Sequence, residues 1–367
     1  MSLSTVRKVR WLAALFLPLG SVAFSPAAPP TCAPYEYSVG RVPSMFVFSV
    51  AFAPDGKTFA AADKDRLRIY ETASHKLLRT IMSKSKKDAV AKFPVADFSP
   101  IPDMIRAVTF SPDGKLLAGC RSDATVCLWK TVGDEQPAVL EAHTGSVKCG
   151  RFSPDGTLLA TGSQDHNVLL WDVRRQAVKA VLSGHESWVE CLAFSSTGKL
   201  LASGSEDDTA RLWDVSSGKE IRTMEGAKGA LKSIAFSPDD KLLLCGDQHK
   251  EIQVWDVATG RNRGTLRGHT DTVSGLFVLR DNRTAISASL DHTVRAWDLG
   301  RQEQVGSLTT PWSSIWSMAV SPDQKSILCG QIWGPIQLIP VDRLLGKMGG
   351  SEGAGPSAAG LSGDQKK

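Results

Sequence analysis

Short apolar runs alternate with polar turns along most of the chain. In one stretch the runs "SVKCGRF" and "TLLATG" are joined by Ser153, Pro154, Asp155 and Gly156, with proline second and glycine fourth, as a type I turn prefers. The runs "NVLLWDV" and "AVKAVL" follow after two further polar turns. Runs of this length, separated by turn residues at short and even spacing, predict four strands joined by hairpins.

This four-strand pattern recurs with a fixed period. A tryptophan stands near the end of the third strand at intervals of 42 residues, at Trp129, Trp171, Trp213, Trp255 and Trp297. A phenylalanine at the end of the first strand has the same period, at Phe110, Phe152, Phe194 and Phe236. An earlier copy around Phe52 and a last copy that ends near Ile339 bring the number of repeats to seven. One small four-stranded sheet cannot bury both of its faces, whereas seven sheets packed radially around a channel bury them.

The repeats resemble those of the WD-repeat (WD40) family, which run from a Gly-His pair to a Trp-Asp pair over about 40 to 45 residues. Such pairs are Gly184-His185 and Trp213-Asp214. The resemblance covers residues 35–345 and implies an all-β fold, a seven-bladed WD40 β-propeller with four-stranded antiparallel blades. Because the chain after Ile339 is too rich in glycine to form a last outer strand, we expect "PYEYSV" at 34–39 to supply that strand and close the ring.

Three segments outside the repeats have compositions of their own. Residues 1–24 combine a basic start, an apolar run and small residues at 21–23, which is typical of an export signal. The apolar part is shorter than the ~20 residues of a spanning helix. We therefore expect a protein that is exported, or tethered to a membrane by this segment alone, with a cytoplasmic location as the alternative. Residues 83–103 are an insertion between blades one and two, and 346–367 a disordered glycine-rich tail.

The charge and the scattered reactive residues exclude several functions. The net charge of +5 is concentrated near the N-terminus and in the lysines of 84–92, so the repeats lack the broad cationic face that binding to nucleic acid requires. None of the seven histidines has a partner at zinc-ligand spacing, so we predict no metal site. The sequence has no phosphate-binding glycine loop, and we predict no cofactor. The cysteines stand at repeat-equivalent positions and are expected to be small buried side chains. A disulfide between Cys120 and Cys127, formed in an oxidising compartment, is the alternative.

Three repeats carry a histidine, a hydroxyl residue and an aspartate that look like a hydrolase triad. A nucleophile needs an exposed oxygen and a cleft with oxyanion donors, which nothing in the sequence supplies. The family resemblance implies instead a structural hydrogen-bond network inside each of these blades, formed by His143, Thr161, Asp165 and Trp171, by His185, Ser203, Asp207 and Trp213, and by His269, Ser287, Asp291 and Trp297. The other four repeats lack the network, so blades three, four and six are predicted to be the stiffest.

The resemblance also implies that ligands meet the face that carries the Gly-His loops and the turns before the third strands. The exposed positions there are the third and fifth residues after the histidine position and the one before the aspartate position. From this set we predict a partner-binding face formed by Trp316, Ile332, Phe46, Phe48, Met104, Arg106, Trp188, Glu190 and Lys148. Aromatic residues concentrate in blades seven, one and two, as in protein-recognition patches. The alternative is that they fill space left by the missing networks.

These observations predict a non-catalytic propeller that acts as a scaffold and binds another protein or peptide. Two alternatives remain. A propeller enzyme would place His, Asp or Glu from several blades in the central channel, where the register supplies only Glu190 and Glu206 beside Lys148 and Lys232. A structural spacer in an envelope assembly would tolerate the substitution of Trp316.

Overall fold

The computed structural model describes residues 38–39, 47–64, 66–82, 104–133, 135–311, 313–332 and 334–346. All of them belong to one compact unit, Tyr37–Lys367. The signal-like segment 1–24, the insertion 83–103, Phe46 and nearly all of the tail lie outside the described residues, and the predictions made for them stay predictions. No helix in the described part of the chain is long and apolar enough to cross a membrane.

The described residues form seven four-stranded antiparallel sheets, which we number as blades one to seven. The first three blades are built from β2 (Val47–Phe52), β3 (Thr58–Asp63), β4 (Arg66–Glu71) and β5 (Leu77–Met82), from β6 (Ile105–Phe110), β7 (Leu116–Arg121), β8 (Thr125–Lys130) and β9 (Ala138–Glu141), and from β10 (Val147–Phe152), β11 (Leu158–Ser163), β12 (Asn167–Asp172) and β13 (Ala177–Ser183).

Blades four to seven have the same strand order. They are built from β14 (Val189–Phe194), β15 (Leu200–Ser205), β16 (Ala210–Asp214) and β17 (Lys219–Met224), from β18 (Leu231–Phe236), β19 (Leu242–Asp247), β20 (Glu251–Asp256) and β21 (Asn262–Arg267), from β22 (Val273–Val278), β23 (Thr284–Ser289), β24 (Thr293–Asp298) and β25 (Glu303–Thr309), and from β26 (Ile315–Val320), β27 (Ser326–Gln331), β28 (Ile336–Pro340) and β1 (Ser38–Val39). A short helix, α1 (Val341–Leu344), follows β28. The predicted seven-bladed propeller is confirmed.

The core lies between the blades. All six residues of β11 are buried, whereas five of the seven in the outer strand β13 are exposed. Within the described residues, one apolar cluster occupies each of the seven boundaries between neighbouring blades. In blades two to six the periodic tryptophan packs on the preceding blade, and in blade one Tyr70 takes this place. Each blade therefore buries its faces against its two neighbours.

The ring is closed by strand β1. Ser38 pairs with Gln337 and Val39 with Ile336, so a strand from before blade one completes blade seven. The apolar cluster between these blades joins Leu328 of blade seven to Phe59 of blade one. The closure expected from the sequence is confirmed by the last two residues of the expected segment, which are the ones that the structure describes.

Helix α1 was not predicted. Val341 and Leu344 are buried, and the helix contacts β24 and β25 of the neighbouring blade six. At Gly306 in β25 a Cβ atom would collide with the carbonyl oxygen of Leu344, so a glycine is required where the helix approaches. The chain after β28 thus covers the boundary between blades six and seven.

Strand direction alternates within a blade, and this defines two faces of the propeller. The loops between blades and the turns between second and third strands lie on one face, called here the top face. The turns between first and second strands lie on the bottom face. Four of these bottom turns have a glycine at positive φ, and a side chain added there would meet a proline of the preceding blade: Gly56, Gly114, Gly156 and Gly198.

Blades five, six and seven have a side chain at this bottom-turn position. Asp240, Asn282 and Gln324 adopt φ values of 57°, 55° and 60°. Each accepts a hydrogen bond from a backbone N–H of the preceding blade: Ser196 N–H to Asp240 at 2.7 Å, Asp239 N–H to Asn282 at 2.9 Å, and Arg280 N–H to Gln324 at 3.0 Å. The strain of the left-handed backbone is offset by a bond to the neighbouring blade.

Candidate functional site

The structure brings the four network residues of blade four into one hydrogen-bonded chain. Trp213 Nε1–H donates to Ser203 Oγ at 2.8 Å, and Ser203 Oγ lies 2.7 Å from His185 Nε2. His185 Nδ1 lies 2.8 Å from Asp207 Oδ2, which also accepts the N–H of Glu186. A carboxylate only accepts hydrogen bonds, so Nδ1 carries the proton. Ser203 is 0% exposed and no substrate in solvent reaches its hydroxyl.

Blades three and six repeat this geometry. The corresponding distances from the hydroxyl are 2.8 Å to His143 and 2.8 Å to Trp171 in blade three, and 2.6 Å to His269 and 2.8 Å to Trp297 in blade six. The histidines contact Asp165 and Asp291 at 2.7 Å and 2.8 Å, and Thr161 and Ser287 are 0% exposed. Burial acts to raise the pKa of each aspartate, but the hydrogen bonds from histidine and backbone outweigh it and lower the pKa.

The blades without a network bury a different polar residue, which the sequence analysis missed. The last residue of the second strand is serine in blades three, four and six, and elsewhere it is Asp63, Arg121, Asp247 or Gln331. Arg121 pairs with Asp123 at 2.7 Å, and Asp63 with Arg68 at 3.2 Å. Asp247 Oδ1 accepts the Glu251 N–H, while its Oδ2 accepts no hydrogen bond from the described residues, and burial raises the pKa of Asp247. From blade two onward, these residues at the end of the second strands follow the repeat period of 42 residues, which could have identified them from the sequence.

The cysteines in the described residues are buried and unbridged. Cys120 lies opposite Val126 in the strand pairing, so it and Cys127 point to opposite faces of their sheet and remain reduced. Burial raises the pKa of Cys120 to about 12. In the parts of the chain that the structure describes, no group of three or more His, Cys, Asp or Glu is placed to hold a metal ion.

The top face is organised by a β-bulge in every first strand. In each blade the pairing between first and second strands shifts at one residue, and the seven bulged residues are Phe48, Arg106, Lys148, Glu190, Lys232, Ser274 and Trp316. A bulge leaves a residue out of the ladder and redirects its side chain. Since the first strands are the innermost ones, these residues form a ring around the channel mouth, called here the bulge ring. Five of the nine residues of the predicted partner-binding face belong to it.

One part of the bulge ring is aromatic and cationic. The rings of Phe48 and Trp316 meet edge to face with centroids 6.5 Å apart, and the Arg106 guanidinium lies 5.3 Å from the centroid of Phe48. Trp316 is 40% exposed, while Phe48 and Arg106 are half-buried. Burial lowers the pKa of Arg106, an effect that the charge of Glu190 opposes. We call these three residues of blades seven, one and two the aromatic sector.

The opposite part of the ring is charged and paired within itself. Lys232 contacts Glu206 at 2.8 Å and Glu190 at 3.4 Å, and Lys148 contacts Glu190 at 3.7 Å. Lys148 also lies 4.7 Å from the ring centroid of Trp188, which is 38% exposed. Burial acts to lower the pKa of Lys232, but Glu190 and Glu206 outweigh it and raise the pKa. We call Lys148, Glu190 and Lys232 of the bulge ring, together with Glu206 and Trp188 beside them, the charged sector.

The prediction that Met104 is exposed is wrong. Met104 is only 4% exposed. Its N–H donates to Ser122 Oγ and its carbonyl accepts the Ser122 N–H, both at 2.9 Å. The next residue, Ile105, donates to the Lys64 carbonyl of blade one. These bonds hold Met104 between blades, where it packs as a core residue. Ile332 is half-buried in the top turn of blade seven.

The bottom end of the channel has a different lining. A cavity of about 660 Å³ opens there and is lined mainly by apolar residues, including Phe52, Phe152, Phe194, Phe236 and Phe277. Its polar lining residues include Arg151 and Arg280, and the described lining contains no His, Asp, Glu or Cys. The carboxylates of Glu190 and Glu206 lie on the top face and are ion-paired with Lys232.

Seven blades that close on an N-terminal strand, with Trp to Ser/Thr to His to Asp networks in three of them, define a WD-repeat β-propeller. A family model described as the IFT122 first β-propeller matches residues 101–339, and the chain belongs to this family. A curated relative, the "Probable cytosolic iron-sulfur protein assembly protein 1" of Sclerotinia sclerotiorum (strain ATCC 18683 / 1980 / Ss-1), is 43% identical over 51 residues. The match covers 12% of this chain and 11% of that protein.

Proposed function

We propose that the chain is a non-catalytic scaffold that binds another protein or peptide on its top face, through the aromatic sector. The observation that carries the proposal is the contact of Trp316, Phe48 and Arg106 at the channel mouth, with Trp316 40% exposed. Tryptophan and arginine supply most of the energy in many protein interfaces when a partner covers them. WD-repeat propellers typically bind other proteins, and this agrees with the proposal.

The contacts within the charged sector make it a less favourable binding site than the aromatic sector. Its lysines and glutamates already satisfy one another, and Trp188 already lies against Lys148. A partner that docked there would have to displace these contacts. The aromatic sector offers apolar ring surface at a lower desolvation cost.

The non-catalytic part of the proposal is supported by the burial of the three candidate nucleophiles, Thr161, Ser203 and Ser287. Each hydroxyl already accepts from a tryptophan N–H and contacts a histidine. A hydroxyl that is enclosed in this way lacks both the access and the oxyanion donors that acyl transfer needs.

The decisive experiment compares two tryptophans of nearly equal exposure. The full chain, Trp316→Ala and Trp188→Ala are immobilised in equal amounts, and partners captured by each are quantified by mass spectrometry. We expect Trp316→Ala to lose its partner by about 10-fold or more while Trp188→Ala retains it. Retention by both variants would refute the aromatic sector as the binding site, and equal loss with both would indicate a general defect of the top face.

We further propose that residues 1–24 direct the chain to export or hold it at a membrane. The support is the composition of this segment, which lies outside the described residues. N-terminal sequencing of the mature chain is expected to begin at Phe24 if the signal is cleaved. A mature chain that is recovered from the cytoplasm with its first residues intact would contradict the proposal.

A further inference from the structure

Among the described residues, Arg106 is the cation of the bulge ring that has no hydrogen-bonding or ion-pair partner. Its guanidinium forms no hydrogen bond and no ion pair with any described residue, and its Nε is buried without an acceptor. Its contact is with the face of Phe48. A buried donor without an acceptor is costly, and more so when it is charged. Such a group is therefore expected to have a partner that is absent from the isolated chain.

The two other cations of the ring show the contrast. Lys148 and Lys232 occupy the equivalent bulge position in blades three and five, and both contact Glu190. Lys232 contacts Glu206 as well. Three cations thus share two carboxylates, and the arrangement of the pairs leaves Arg106 as the excess positive charge. Together, these five described side chains carry a net charge of +1.

The chemistry of the missing partner follows from this charge and from the neighbouring rings. A carboxylate carries one negative charge and matches the planar fork of a guanidinium. A phosphoryl group carries roughly −1.5 to −2 at pH 7 and would overcompensate. Arg106 lies against Phe48, and Phe48 lies against Trp316, so a carboxylate that reaches Arg106 brings the adjoining part of its ligand onto these rings.

We infer that Arg106 is a specificity-determining residue that binds a carboxylate of the partner peptide, while Phe48 and Trp316 take an apolar residue next to that carboxylate. This inference rests on the proposed function of the aromatic sector. The carboxylate comes from an Asp or Glu side chain or from the C-terminus of the peptide. The binding motif is therefore an acidic group adjacent to an aromatic or aliphatic side chain.

The test uses random synthetic dodecapeptides prepared in two versions, one with a free C-terminal carboxylate and one amidated. Both libraries are selected against the full chain, and the strongest binders are sequenced. We expect enrichment of Asp or Glu beside an apolar residue in the amidated library if side chains supply the carboxylate. Enrichment of apolar C-terminal residues in the free-acid library alone would assign it to the C-terminus. Binders without an acidic group in either library would overturn the inference.

The selected peptide is then titrated against matched variants. Arg106→Gln removes the charge and keeps the length, and we expect affinity to fall by about 10-fold to 100-fold, the effect of losing a hydrogen bond to a charged group. Arg106→Lys keeps the charge but lacks the planar guanidinium, so its affinity for the peptide should lie between those of the wild type and Arg106→Gln. Arg261→Gln, an exposed arginine on the bottom face, is the control and should change affinity less than about 3-fold. Melting temperatures of all variants show whether the fold is intact.

Charge reversal completes the test. Arg106→Glu should reject the selected peptide and should bind a version in which the acid is replaced by lysine, since the pair is restored with opposite signs. A version with phosphoserine in place of the acid should bind more weakly than the original, and tighter binding would overturn the assignment to a carboxylate. If Trp316→Ala abolishes binding and Arg106→Gln does not, this inference fails and the proposed function stands. If neither variant changes binding, both fail.

Discussion

At the scale of single residues, one hydroxyl group in each networked blade forms hydrogen bonds with both the tryptophan and the histidine. Ser203 Oγ is the common partner of Trp213 Nε1–H and His185 Nε2. Its position in the second strand is filled by Thr161 in blade three and by Cys245 in blade five, which has no network. The hydroxyl therefore has a structural role that its resemblance to a catalytic serine conceals.

Replacement of this hydroxyl should cost stability without affecting binding. In Ser203→Ala the Trp213 N–H is left buried without an acceptor and His185 loses a partner, at a cost of about 1–3 kcal/mol for each unsatisfied group. Urea denaturation measures this loss. Ser203→Thr is the matched control and should be close to wild type, because Thr161 makes the same contacts in blade three. A variant that lost partner binding but kept its stability would contradict the structural role.

The aspartates of the networks make stability depend on pH. The pKa of Asp207 in the fold lies below its ordinary value of ~3.9, because hydrogen bonds from His185, Thr209 and the Glu186 N–H outweigh burial. A lowered pKa means that the ionised form stabilises the fold. Its contribution is fully present above the unfolded value and is lost as the pH falls through the folded one.

Asp207→Asn removes this titration. The difference in unfolding free energy between wild type and Asp207→Asn should be largest near neutral pH and should shrink as the pH falls below about 4. Denaturation curves measured at several pH values between about 3 and 7 give this difference directly. A difference that does not change with pH would show that the charge of Asp207 contributes nothing and that only its shape matters.

At the scale of elements, two segments outside the regular repeats complete the ring, namely strand β1 and helix α1. In its described part, strand β1 adds two residue pairs to blade seven. Helix α1 covers the next boundary with Val341 and Leu344. The sequence predicted the first because the repeat count left blade seven one strand short. It did not predict the second, since four residues carry no helical period and the space for the helix is left by Gly306 of the neighbouring blade.

Deletion through Val39 is expected to lower the melting temperature sharply, because blade seven loses its outer strand and the ring loses its closure. Deletion from Gly350 onward is the control and should leave the melting temperature within a degree or two, since it removes none of the described blades. Differential scanning calorimetry of the two truncated chains measures both. Equal effects would show that β1 does not hold the ring closed.

At the scale of the whole molecule, the fold was predictable and the detail of the site was not. The period of 42 residues identifies seven equivalent sheets, and radial packing is the way in which such sheets bury both faces. The bulge ring depends on how seven first strands crowd around one channel, which is a property of the closed ring. Likewise, nothing in the local sequence shows that Glu190 contacts Lys148 and Lys232 rather than Arg106. The burial of Met104 was missed for the same reason.

The entry of the chain through β1 and its exit through β28 and α1 place both ends of the propeller at blade seven. Tension applied between Ser38 and Gly346 would therefore act first on the pairing of β1 with β28, where the described residue pairs would separate one after the other. Blades three to five, across the ring, would carry almost none of this force. The aromatic sector, in blades seven, one and two, lies beside this joint, so a pull on the two ends would reach it before it reached the far side of the ring.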